Sequence, residues 1–381
     1  MVKPLLRVHT LLLLLTLSAT PLHAQDTKNR PEDLVDLAKM VLEFVDTISM
    51  RGLDPDYLTL PEKPWQLILR SNLNQSRLSL FSVTEKAFLE DNTLLGRTEW
   101  EARFMTAPSY NVGLWGGYRG YGLGYTFNLS RNKNYLLTLG LTGGSYGLNM
   151  RIHSFHDSHS DVHYKIDASD EKYREEVNFG EPVNARNLII DGYYAFNGKR
   201  FSYCAAYDQS VIQRRSAGSL LVGGMYYYSN INYDQDGNAL LMLLMNDIGR
   251  VRQWQWSVGA GYAYNYVPSE GFLISGLVMP MVTVVNRIEA TRYGSNLRDY
   301  VYDPENHSQP EPKDYKIWYM DEQKQTGKIS MNFDARLSLT YLWKDYFLNI
   351  YGQYYNVRFR DGTNSGNHSE WSVNTSLGIR L

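Results

Sequence analysis

The chain has 381 residues, a formal net charge of −2 and a mean hydropathy of −0.39. The near-neutral charge gives no reason to expect nucleic acid as a partner, and the negative hydropathy excludes a bundle of apolar membrane helices. The single cysteine, Cys204, excludes an internal disulfide and any cysteine-based metal cluster. Tyrosine and glycine each occur 30 times, and both strand-rich structure and the aromatic girdles of membrane barrels draw on tyrosine.

Residues 1–24 are typical of a secretory signal. Lys3 and Arg7 precede an apolar run that includes Leu11–Leu15, and the small residue Ala24 follows. This order predicts cleavage after Ala24, and the apolar core is too short to cross a membrane as a helix. No cysteine stands at the cleavage point, which argues against a lipid-anchored product. With a barrel downstream, export indicates a bacterial outer membrane.

Residues 25–64 are predicted to form a periplasmic helix and a linker. Apolar side chains recur at helical spacing across Pro31–Ile48, which favours a small cap on the barrel mouth. A plug that enters the lumen is the alternative. Pro55, Pro61 and Pro64 then indicate an extended linker.

The segment Ile329–Trp343 is the clearest of the predicted strands. Its odd positions, such as Phe333, are apolar, and its even positions include Asp334 and Arg336. Alternate side chains of a strand point to opposite faces, so one face is apolar and the other is charged. Its 15 residues exceed the ~5–6 usual in soluble proteins and suit a tilted strand that crosses a bilayer. We therefore predict an all-β fold, a closed antiparallel transmembrane β-barrel over residues 65–381.

About twelve strands are expected, with ten or fourteen as alternatives. The other eleven are Trp65–Val83, Thr98–Thr106, Tyr110–Tyr118, Tyr121–Leu129, Tyr135–Phe155, Asn187–Phe196, Leu220–Ile231, Trp254–Tyr266, Phe272–Arg287, Tyr346–Arg360 and Trp371–Leu381. A bulge is expected within Trp65–Val83, where the apolar positions change from odd to even. A second bulge, rather than a hairpin turn, is expected at Gly143-Gly144.

An even number of strands places both ends of the barrel on the periplasmic side. Counting back from Leu381 puts three short connections on that side: Arg131–Asn134, Val267–Gly271 and Lys344-Asp345. The long segments His156–Arg186, Asn232–Gln253 and Ile288–Gly327 fall outside. The connection Asn197–Gly218 is the exception, because it is long and falls on the periplasmic side. The alternating C-terminal strand resembles the signal by which barrel-assembly machinery recognises such proteins, although Leu381 stands where Phe or Trp is usual.

Charges on the polar faces are predicted to line the lumen, where ion pairing offsets the cost of burial. They are Glu99, Glu101, Arg103, Asp334 and Arg336. They either hold the lumen together or form a selectivity lining for a small solute. The apolar run Ala239–Ile248 lies in a predicted loop and must be buried somewhere. A short helix folded over or into the barrel mouth is expected there, which argues against a permanently open pore.

A family resemblance is carried by the region that follows the predicted sixth membrane strand. Its residues are Phe201–Tyr207, Gln209, Gln213 and Arg215–Ser219 before a glycine-rich strand, together with Trp65 after Pro64 and the paired strands of Tyr110–Leu129. The chain resembles a family from Bacteroidota, the domain of unknown function 4421, over most of its mature length. The resemblance implies an outer-membrane barrel and supplies no catalytic residues.

Four histidines lie close together and are interleaved with two aspartates. They are His153, His156, His159 and His163, with Asp157 and Asp161. Imidazole and carboxylate groups bind zinc and copper, so a divalent metal is one hypothesis. A polar external loop is the alternative, and no other cofactor is expected.

The tripeptide His156-Asp157-Ser158 resembles the His-x-Ser arrangement of outer-membrane phospholipases and lipid A deacylases. A serine nucleophile needs a base within hydrogen-bond reach and a group that orients the base. The Asn-Gly that usually follows in those enzymes is replaced by His159-Ser160.

The sequence favours an outer-membrane barrel without catalytic activity. Its role would be passage or binding of a small solute, or structural support of the membrane. A membrane-embedded lipid hydrolase and a secreted soluble β-protein are the alternatives. The expected partners are outer-membrane lipid, the assembly machinery during biogenesis and a small solute, with no nucleic acid.

Overall fold

The computed structural model describes residues 40, 43, 52–84, 98–105, 108–129, 135–143, 145–157, 160–166, 172–177, 183–361 and 364–381. Contacts divide the chain into Met1–Thr47 and Ile48–Leu381. In the first unit only Met40 and Glu43 are described, and both are helical. The predicted signal and the rest of the predicted helix fall outside the described residues. None of the described helices is long and apolar enough to cross a membrane.

The second unit consists mainly of strands. In chain order they are β1 (Leu58–Thr59), β2 (Trp65–Thr84), β3 (Thr98–Met105), β4 (Ser109–Tyr118), β5 (Tyr121–Asn128), β6 (Tyr135–Thr142), β7 (Tyr146–Asp157), β8 (Ser160–Ile166), β9 (Lys172–Val177), β10 (Val183–Ala195), β11 (Ile212–Gln213), β12 (Ala217–Asn232), β13 (Ile248–Ser269), β14 (Phe272–Ser295), β15 (Ile317–Thr326), β16 (Met331–Trp343), β17 (Tyr346–Asp361) and β18 (Asn364–Arg380). The described helices are α1 (Tyr203–Tyr207), α2 (Ala239–Leu244) and α3 (Asn296–Tyr302), with 3₁₀ turns at Asp236–Asn238 and Pro312–Asp314.

Twelve of these strands, here called staves, form a closed ring. Their order is β2, β4, β5, β6, β7, β10, β12, β13, β14, β16, β17, β18 and back to β2. Neighbouring staves are antiparallel, and the ring closes where β18 pairs with β2 from Gln66↔Arg380 to Phe81↔Ser365. Every stave therefore has two partners and no open edge, as a sheet surrounded by hydrocarbon requires. The predicted closed barrel and its strand number are confirmed.

Two of the predicted strands were wrong, and the two errors cancel in the count. The strand predicted at Thr98–Thr106 is β3, which lies off the ring. It pairs with the last residues of β2, from Arg77 to Thr84, and with β8. The strand predicted at Tyr135–Phe155 is two staves, β6 and β7, which pair from Tyr135↔Ser154 to Thr142↔Gly147. The bulge predicted at Gly143-Gly144 is therefore a hairpin turn. A glycine pair fits either structure, and only the pairing of the flanking strands decides between them.

The two ends of the barrel differ in their connections. We call the end where β2 begins and β18 finishes the terminal end, and the opposite end the loop end. Val267–Gly271 and Lys344-Asp345 join staves at the terminal end, as predicted, and so does the long connection Asn197–Gly218. The connection that contains Arg131–Asn134 joins β5 to β6 at the loop end, contrary to prediction. The division of Tyr135–Phe155 into two staves shifts the count by one there.

Stave β2 is continuous, so the bulge predicted within it is also wrong. It pairs with β18 without a register shift from Gln66 to Phe81. Its even positions face inward along the whole length, from buried Gln66 and Ile68 to buried Leu78 and Leu80. The inner face is polar in the middle of the stave and apolar at the loop end, where Leu78 and Leu80 pack against α2. The change of pattern reflects what fills the lumen rather than a bend in the strand.

The outer wall of the barrel is apolar and the inner wall is polar. On β16, Phe333, Leu337 and Leu339 are 37, 65 and 38% exposed, whereas Asp334 and Arg336 are 3 and 8% exposed. A soluble sandwich would bury the first set and expose the second. The outer surface therefore matches a barrel that spans a lipid bilayer, and it argues against a secreted soluble β-protein.

Aromatic side chains collect at the terminal end of the outer wall. Tyr341, Trp343 and Tyr346 stack in a row, with ring centroids 5.6 and 6.0 Å apart. Trp65 and Tyr118 meet edge to face at 4.9 Å on neighbouring staves. Tyrosine and tryptophan concentrate where hydrocarbon meets lipid headgroups, so these rings indicate one boundary of the bilayer.

Two substitutions on the outer face of β16 test this placement. We expect Leu337→Arg, at the middle of the stave, to destabilise the barrel by ~2–4 kcal/mol, because arginine is costly at the bilayer midplane. Met331→Arg, on the same face at the loop end, is the matched control and should cost ~0–1 kcal/mol. The measurement is reversible unfolding in lipid vesicles. Equal costs at the two depths would contradict a lipid-facing wall.

Candidate functional site: a closed polar lumen

A segment of the chain fills the terminal end of the lumen. Residues 201–213, here called the plug, belong to the long connection between β10 and β12. Helix α1 lies within the plug, and all five of its side chains are buried. The plug is thus the connection that looked exceptional in the sequence. Most of the predicted N-terminal helix falls outside the described residues, so its place as a cap or a plug stays a prediction.

Lumen side chains hold the backbone of the plug. Five of them, each from a different stave, donate hydrogen bonds to plug carbonyl oxygens: Gln66 Nε2 to Gln209 (2.9 Å), Arg380 Nη2 to Gln209 (3.0 Å), Ser338 Oγ to Ala206 (2.6 Å), Asn349 Nδ2 to Ala206 (2.9 Å) and Asn265 Nδ2 to Ser202 (2.8 Å). A short helix leaves its last carbonyls without helical partners, and a buried carbonyl without a partner is costly. Amide and hydroxyl side chains at inward positions are therefore what allow this segment to enter the barrel.

The predicted linker packs against the plug. Strand β1 pairs with β11, so that Leu58 lies opposite Gln213. Leu58 forms a buried apolar cluster with Cys204 and Val211. The Cys204 thiol lies 3.3 Å from the carbonyl oxygen of Gly143, and burial raises the pKa of this thiol. A buried, protonated thiol has a packing role and low reactivity.

A second segment closes the loop end. Residues 236–247, here called the cap, contain α2, whose Leu241 and Met242 are buried. They pack in a cluster with inward residues of several staves, among them Leu78, Ile231 and Val251. The short helix predicted at Ala239–Ile248 is confirmed, and it lies over the lumen. Burial of its apolar face against the inner wall stabilises the closed end.

An ion-pair network lies between the plug and the cap. Arg336 Nη2 contacts Asp334 at 2.5 Å and Asp191 at 3.0 Å, and its Nη1 donates to the hydroxyl of plug residue Tyr203. Arg151 reaches the other oxygen of Asp191 at 3.2 Å. Two arginines and two aspartates therefore balance each other's charge. Such buried groups must remain paired, because an isolated buried charge is strongly unfavourable.

A second polar layer lies on a neighbouring part of the inner wall. His153 Nδ1 lies 3.3 Å from Glu370 Oε2, which also accepts a hydrogen bond from Ser76 Oγ at 2.8 Å. His368 Nδ1 lies 2.9 Å from the hydroxyl of Tyr227. All five side chains are buried, so the layer extends the hydrogen-bonded filling of the lumen.

The predicted lumen charges divide into two groups. Asp334 and Arg336 point into the lumen, as described above. Glu101 and Arg103 lie on β3, off the ring, and bond to each other at 2.6 and 2.8 Å. Glu101 lies opposite Phe81, an outward residue of β2, so this pair is on the outer face and does not line the lumen. The side chain of Glu99 falls outside the described residues.

The four predicted metal ligands are only partly described. His153 is buried in the lumen, next to Glu370 and Asn74. The side chains of His156, His159 and His163 fall outside the described residues, and no metal-binding group of three or more residues occurs within the described part of the chain. The metal hypothesis and the role suggested for Ser158 both remain predictions.

A cavity of about 80 Å³ lies between the plug and the inner wall. Its lining includes Arg70, Trp115, Thr138, Gly140, Asn149, Arg151, Asp191, Tyr203, Tyr207, Asp208, Arg336, Tyr351 and Gln353. A water needs ~10–15 Å³ on this measure, so the cavity has room for several waters or one small solute. The lining combines charged and amide groups with aromatic rings and small side chains.

Plug residue Asp208 is buried and hydrogen-bonded. Its carboxylate accepts from the backbone N–H of Ser210 at 2.9 Å and is hydrogen-bonded to the hydroxyl of Thr142. That hydroxyl also lies 2.8 Å from the carbonyl oxygen of Gly120, and it has one hydrogen for two oxygens. The Gly120 oxygen also accepts from the backbone N–H of Thr142 at 3.2 Å, and the hydroxyl of Ser210 donates to Asp208 at 2.6 Å. Burial raises the pKa of Asp208, and the hydrogen bonds from Ser210 and Thr142 oppose this shift without cancelling it.

Sequence reasoning did not find several of these lumen residues. Arg70, Arg151 and Asp191 lie at inward positions of strands that were recognised or partly recognised, so strand alternation could have identified them. Tyr203 and Asp208 lie in the plug, where no periodic pattern shows that a connection folds inward.

Together these features define the protein as a closed twelve-stave β-barrel whose lumen is occupied by its own chain. The chain belongs to the family described as Domain of unknown function (DUF4421), which it matches over residues 74–380. The resemblance inferred from the sequence is thereby confirmed, and an origin in Bacteroidota remains a prediction. No curated protein matches the chain.

Several solved structures are similar in fold. The outer membrane protease OmpT from Escherichia coli has a TM-score of 0.40 at 7% identity, covering 85% of this chain and 98% of its own. The translocator domain of autotransporter NalP from Neisseria meningitidis has a TM-score of 0.32 at 8% identity, covering 92 and 98%. The COG4313 outer membrane channel from Pseudomonas putida F1 has a TM-score of 0.26 at 11% identity, covering 86 and 99%. Likeness at this level carries no information about activity.

The ion-pair network predicts a large effect of one substitution. We expect Arg336→Met to destabilise the barrel by ~3–5 kcal/mol, because it leaves buried Asp334 without its cation. Arg103→Met breaks a similarly spaced but exposed pair and should cost less than ~1 kcal/mol. Both costs can be measured by urea unfolding in vesicles. Similar costs for the two variants would show that the network is not buried in a lumen.

Asp208 predicts a pH dependence of stability. A raised pKa means that the folded barrel holds the proton more tightly than the unfolded chain. The free energy of unfolding should therefore fall as pH rises above ~3.9, the unfolded value, through the folded pKa. Asp208→Asn, which is always neutral, should lose this part of the slope. Asp56→Asn, at an exposed position, should keep it, and an unchanged slope in Asp208→Asn would contradict a raised pKa of Asp208 in the folded barrel.

Proposed function

We propose that the protein is a non-catalytic barrel of a bacterial outer membrane that keeps its lumen closed and binds a small polar solute inside it. The apolar outer wall and its aromatic rim support the membrane location, together with the predicted export signal. The main support for the function is the combination of plug and cap with a cavity between the plug and the wall that charged, amide and aromatic groups line. A role as a permanently open pore has no support in this arrangement.

The closure has two independent parts. The plug is held by hydrogen bonds from five staves, and the cap is held by apolar packing at the opposite end. Because the two lie in series along the barrel axis, loss of either one leaves the other in place. Passage of a solute would require both to move, whereas binding requires only access to the cavity. Binding is therefore the simpler of the two activities.

A structural role in the membrane is the second candidate. The buried ion pairs and the His153–Glu370 layer fill much of the lumen, as expected of a barrel selected for rigidity. The two candidates differ in whether the cavity takes up a ligand. A structural barrel leaves it to water, and a binding barrel has a defined solute there.

Conductance in a planar bilayer tests the closure. We expect no steady conductance from the parent protein, because plug and cap both obstruct the lumen. A plug variant has residues 202–210 replaced by a short Gly-Ser linker, and a cap variant has residues 236–245 replaced in the same way. Each alone should remain closed, and only the combined variant should conduct steadily.

Heat-modified mobility on electrophoresis is the control that each variant still forms a barrel. Steady conductance by the parent protein would reject the closed lumen. A folded combined variant that does not conduct would show that other parts of the chain obstruct the barrel.

A further inference from the structure

We propose that the outer wall of the barrel binds one anionic phospholipid, with an acyl chain in an apolar groove and the phosphate group at a cluster of arginines. This site is separate from the cavity in the lumen and rests on the membrane location alone. Three features support it: the position of the loop-end boundary of the bilayer, the groove on its hydrocarbon side and the charges beyond it.

The outer face of β2 indicates where the loop-end boundary lies. Trp65 belongs to the aromatic rim at the terminal end, and the outward amide Gln75 follows ten positions later. A tilted strand needs ~9–11 residues to cross the hydrocarbon. Trp371 pairs with Gln75 and donates a hydrogen bond from its Nε1 to Gln75 Oε1 at 3.2 Å. An outward tryptophan bonded to an amide is typical of a membrane interface, so Gln75 and Trp371 mark the second boundary.

A groove of about 650 Å³ lies in the outer wall and reaches this boundary at Trp371. Gly276, Ala335 and Gly352, on three neighbouring staves, leave the space because their side chains are absent or small. A Cβ atom at Gly276 would meet nothing within 4 Å, and one at Gly352 would meet only a carbonyl oxygen at 3.8 Å. The outward side chains of the lining are apolar or aromatic, and the volume falls within the ~300–1,000 Å³ usual for ligand sites. Because hydrocarbon surrounds this wall, an acyl chain is the matching occupant.

Three exposed arginines lie on the outer face beyond the boundary. They are Arg77 on β2 and Arg358 and Arg360 on β17, here called the arginine cluster. Among the outward positions that the structure describes on β2, β17 and β18 there is no carboxylate, because Glu370 points into the lumen. Glu101 on the adjoining β3 is already paired, as described above. This part of the wall therefore carries a net positive charge at the level of the lipid headgroups.

The arginine cluster can reach a single headgroup. Arg77 and Asn356 lie in one row across three neighbouring staves, because both pair with Ser369. Arg358 lies two positions beyond Asn356, and its Nε donates to Asn356 Oδ1 at 3.2 Å, which directs the guanidinium back toward the boundary. Strand spacing and rise place the Cα atoms of Arg77 and Arg358 roughly 12 Å apart. Two long side chains can span this distance, and arginine binds phosphate through paired hydrogen bonds.

The groove and the arginine cluster adjoin each other, which favours a lipid over a second copy of the chain. Trp371 lines the groove, and its partner Gln75 lies two positions before Arg77. A two-fold dimer would place the same patch against itself, so the two arginine clusters would repel each other. A phospholipid instead presents an acyl chain and a phosphate in the order in which the wall presents groove and cluster. A headgroup without a cation of its own suits the cluster best.

Native mass spectrometry of the delipidated full-length barrel in detergent tests the proposal. The probes are phosphatidylglycerol and phosphatidylcholine with identical acyl chains. We expect a saturable one-to-one complex with phosphatidylglycerol and roughly tenfold weaker binding of phosphatidylcholine, as a charge-assisted hydrogen bond implies. Joint Arg77→Gln and Arg358→Gln substitution should reduce the affinity for phosphatidylglycerol to that for phosphatidylcholine. Joint Arg214→Gln and Arg215→Gln substitution, at exposed positions of the terminal end, changes the net charge equally and should bind as the parent does.

A second pair of variants tests the groove independently of charge. Gly352→Leu places a side chain in the groove and should weaken the binding of both lipids. Gly116→Leu adds the same atoms to the outer wall at β4, where a Cβ meets nothing within 4 Å, and should leave binding unchanged. Heat-modified mobility shows that each variant is folded.

Equal affinity of the parent for the two lipids would overturn the phosphate site, and so would an equal loss in the two double variants. Unchanged binding in Gly352→Leu would overturn the groove. A dimer without bound lipid would assign this wall to a second copy of the chain and reject the proposal. These outcomes are independent of the conductance test, because the lumen can be closed whether or not the outer wall holds a lipid.

Discussion

The structure depends on the requirement that backbone and polar groups be satisfied without bulk water on either side of one sheet. Outside, hydrocarbon offers no hydrogen bonds, so the sheet closes on itself through the pairing of β18 with β2. Inside, plug and cap exclude much of the water, so the polar side chains must satisfy one another. The paired Arg336, Asp334 and Asp191 and the carbonyls held by Gln66 and Asn349 follow from this second demand.

The inner wall changes its chemistry along the barrel axis to match what fills it. At the terminal end, amide and hydroxyl groups meet the backbone of the plug, which needs donors for its carbonyls. At the loop end, Leu78, Leu80 and Ile231 meet the apolar face of α2. Between them lie the ion pairs. The same ring of staves thus holds two different closures by two different kinds of interaction.

The barrel itself was largely predictable from the sequence. The alternation along Ile329–Trp343 and Trp254–Tyr266 correctly predicted which face of each strand points outward and which points into the lumen. Alternate side chains of a strand point to opposite faces, so contact with lipid and contact with the lumen both recur every two residues. Errors arose where one face does not contrast with the other. Gly143-Gly144 has no side chains that could show which face is apolar. The inner face of β2 changes from polar to apolar because its loop end packs against α2.

The sequence by itself determined that the chain forms a closed barrel with an apolar exterior, since that property is local to each strand. Tertiary structure decided which strands belong to the ring, that β3 lies outside it, and that the connection after β10 folds inward. It also decided that Arg336 has two carboxylate partners. These properties depend on which residues of different strands meet. Arg336 and Asp191, for example, are 145 positions apart in the sequence, and the alternation of side chains within one strand does not predict such a contact.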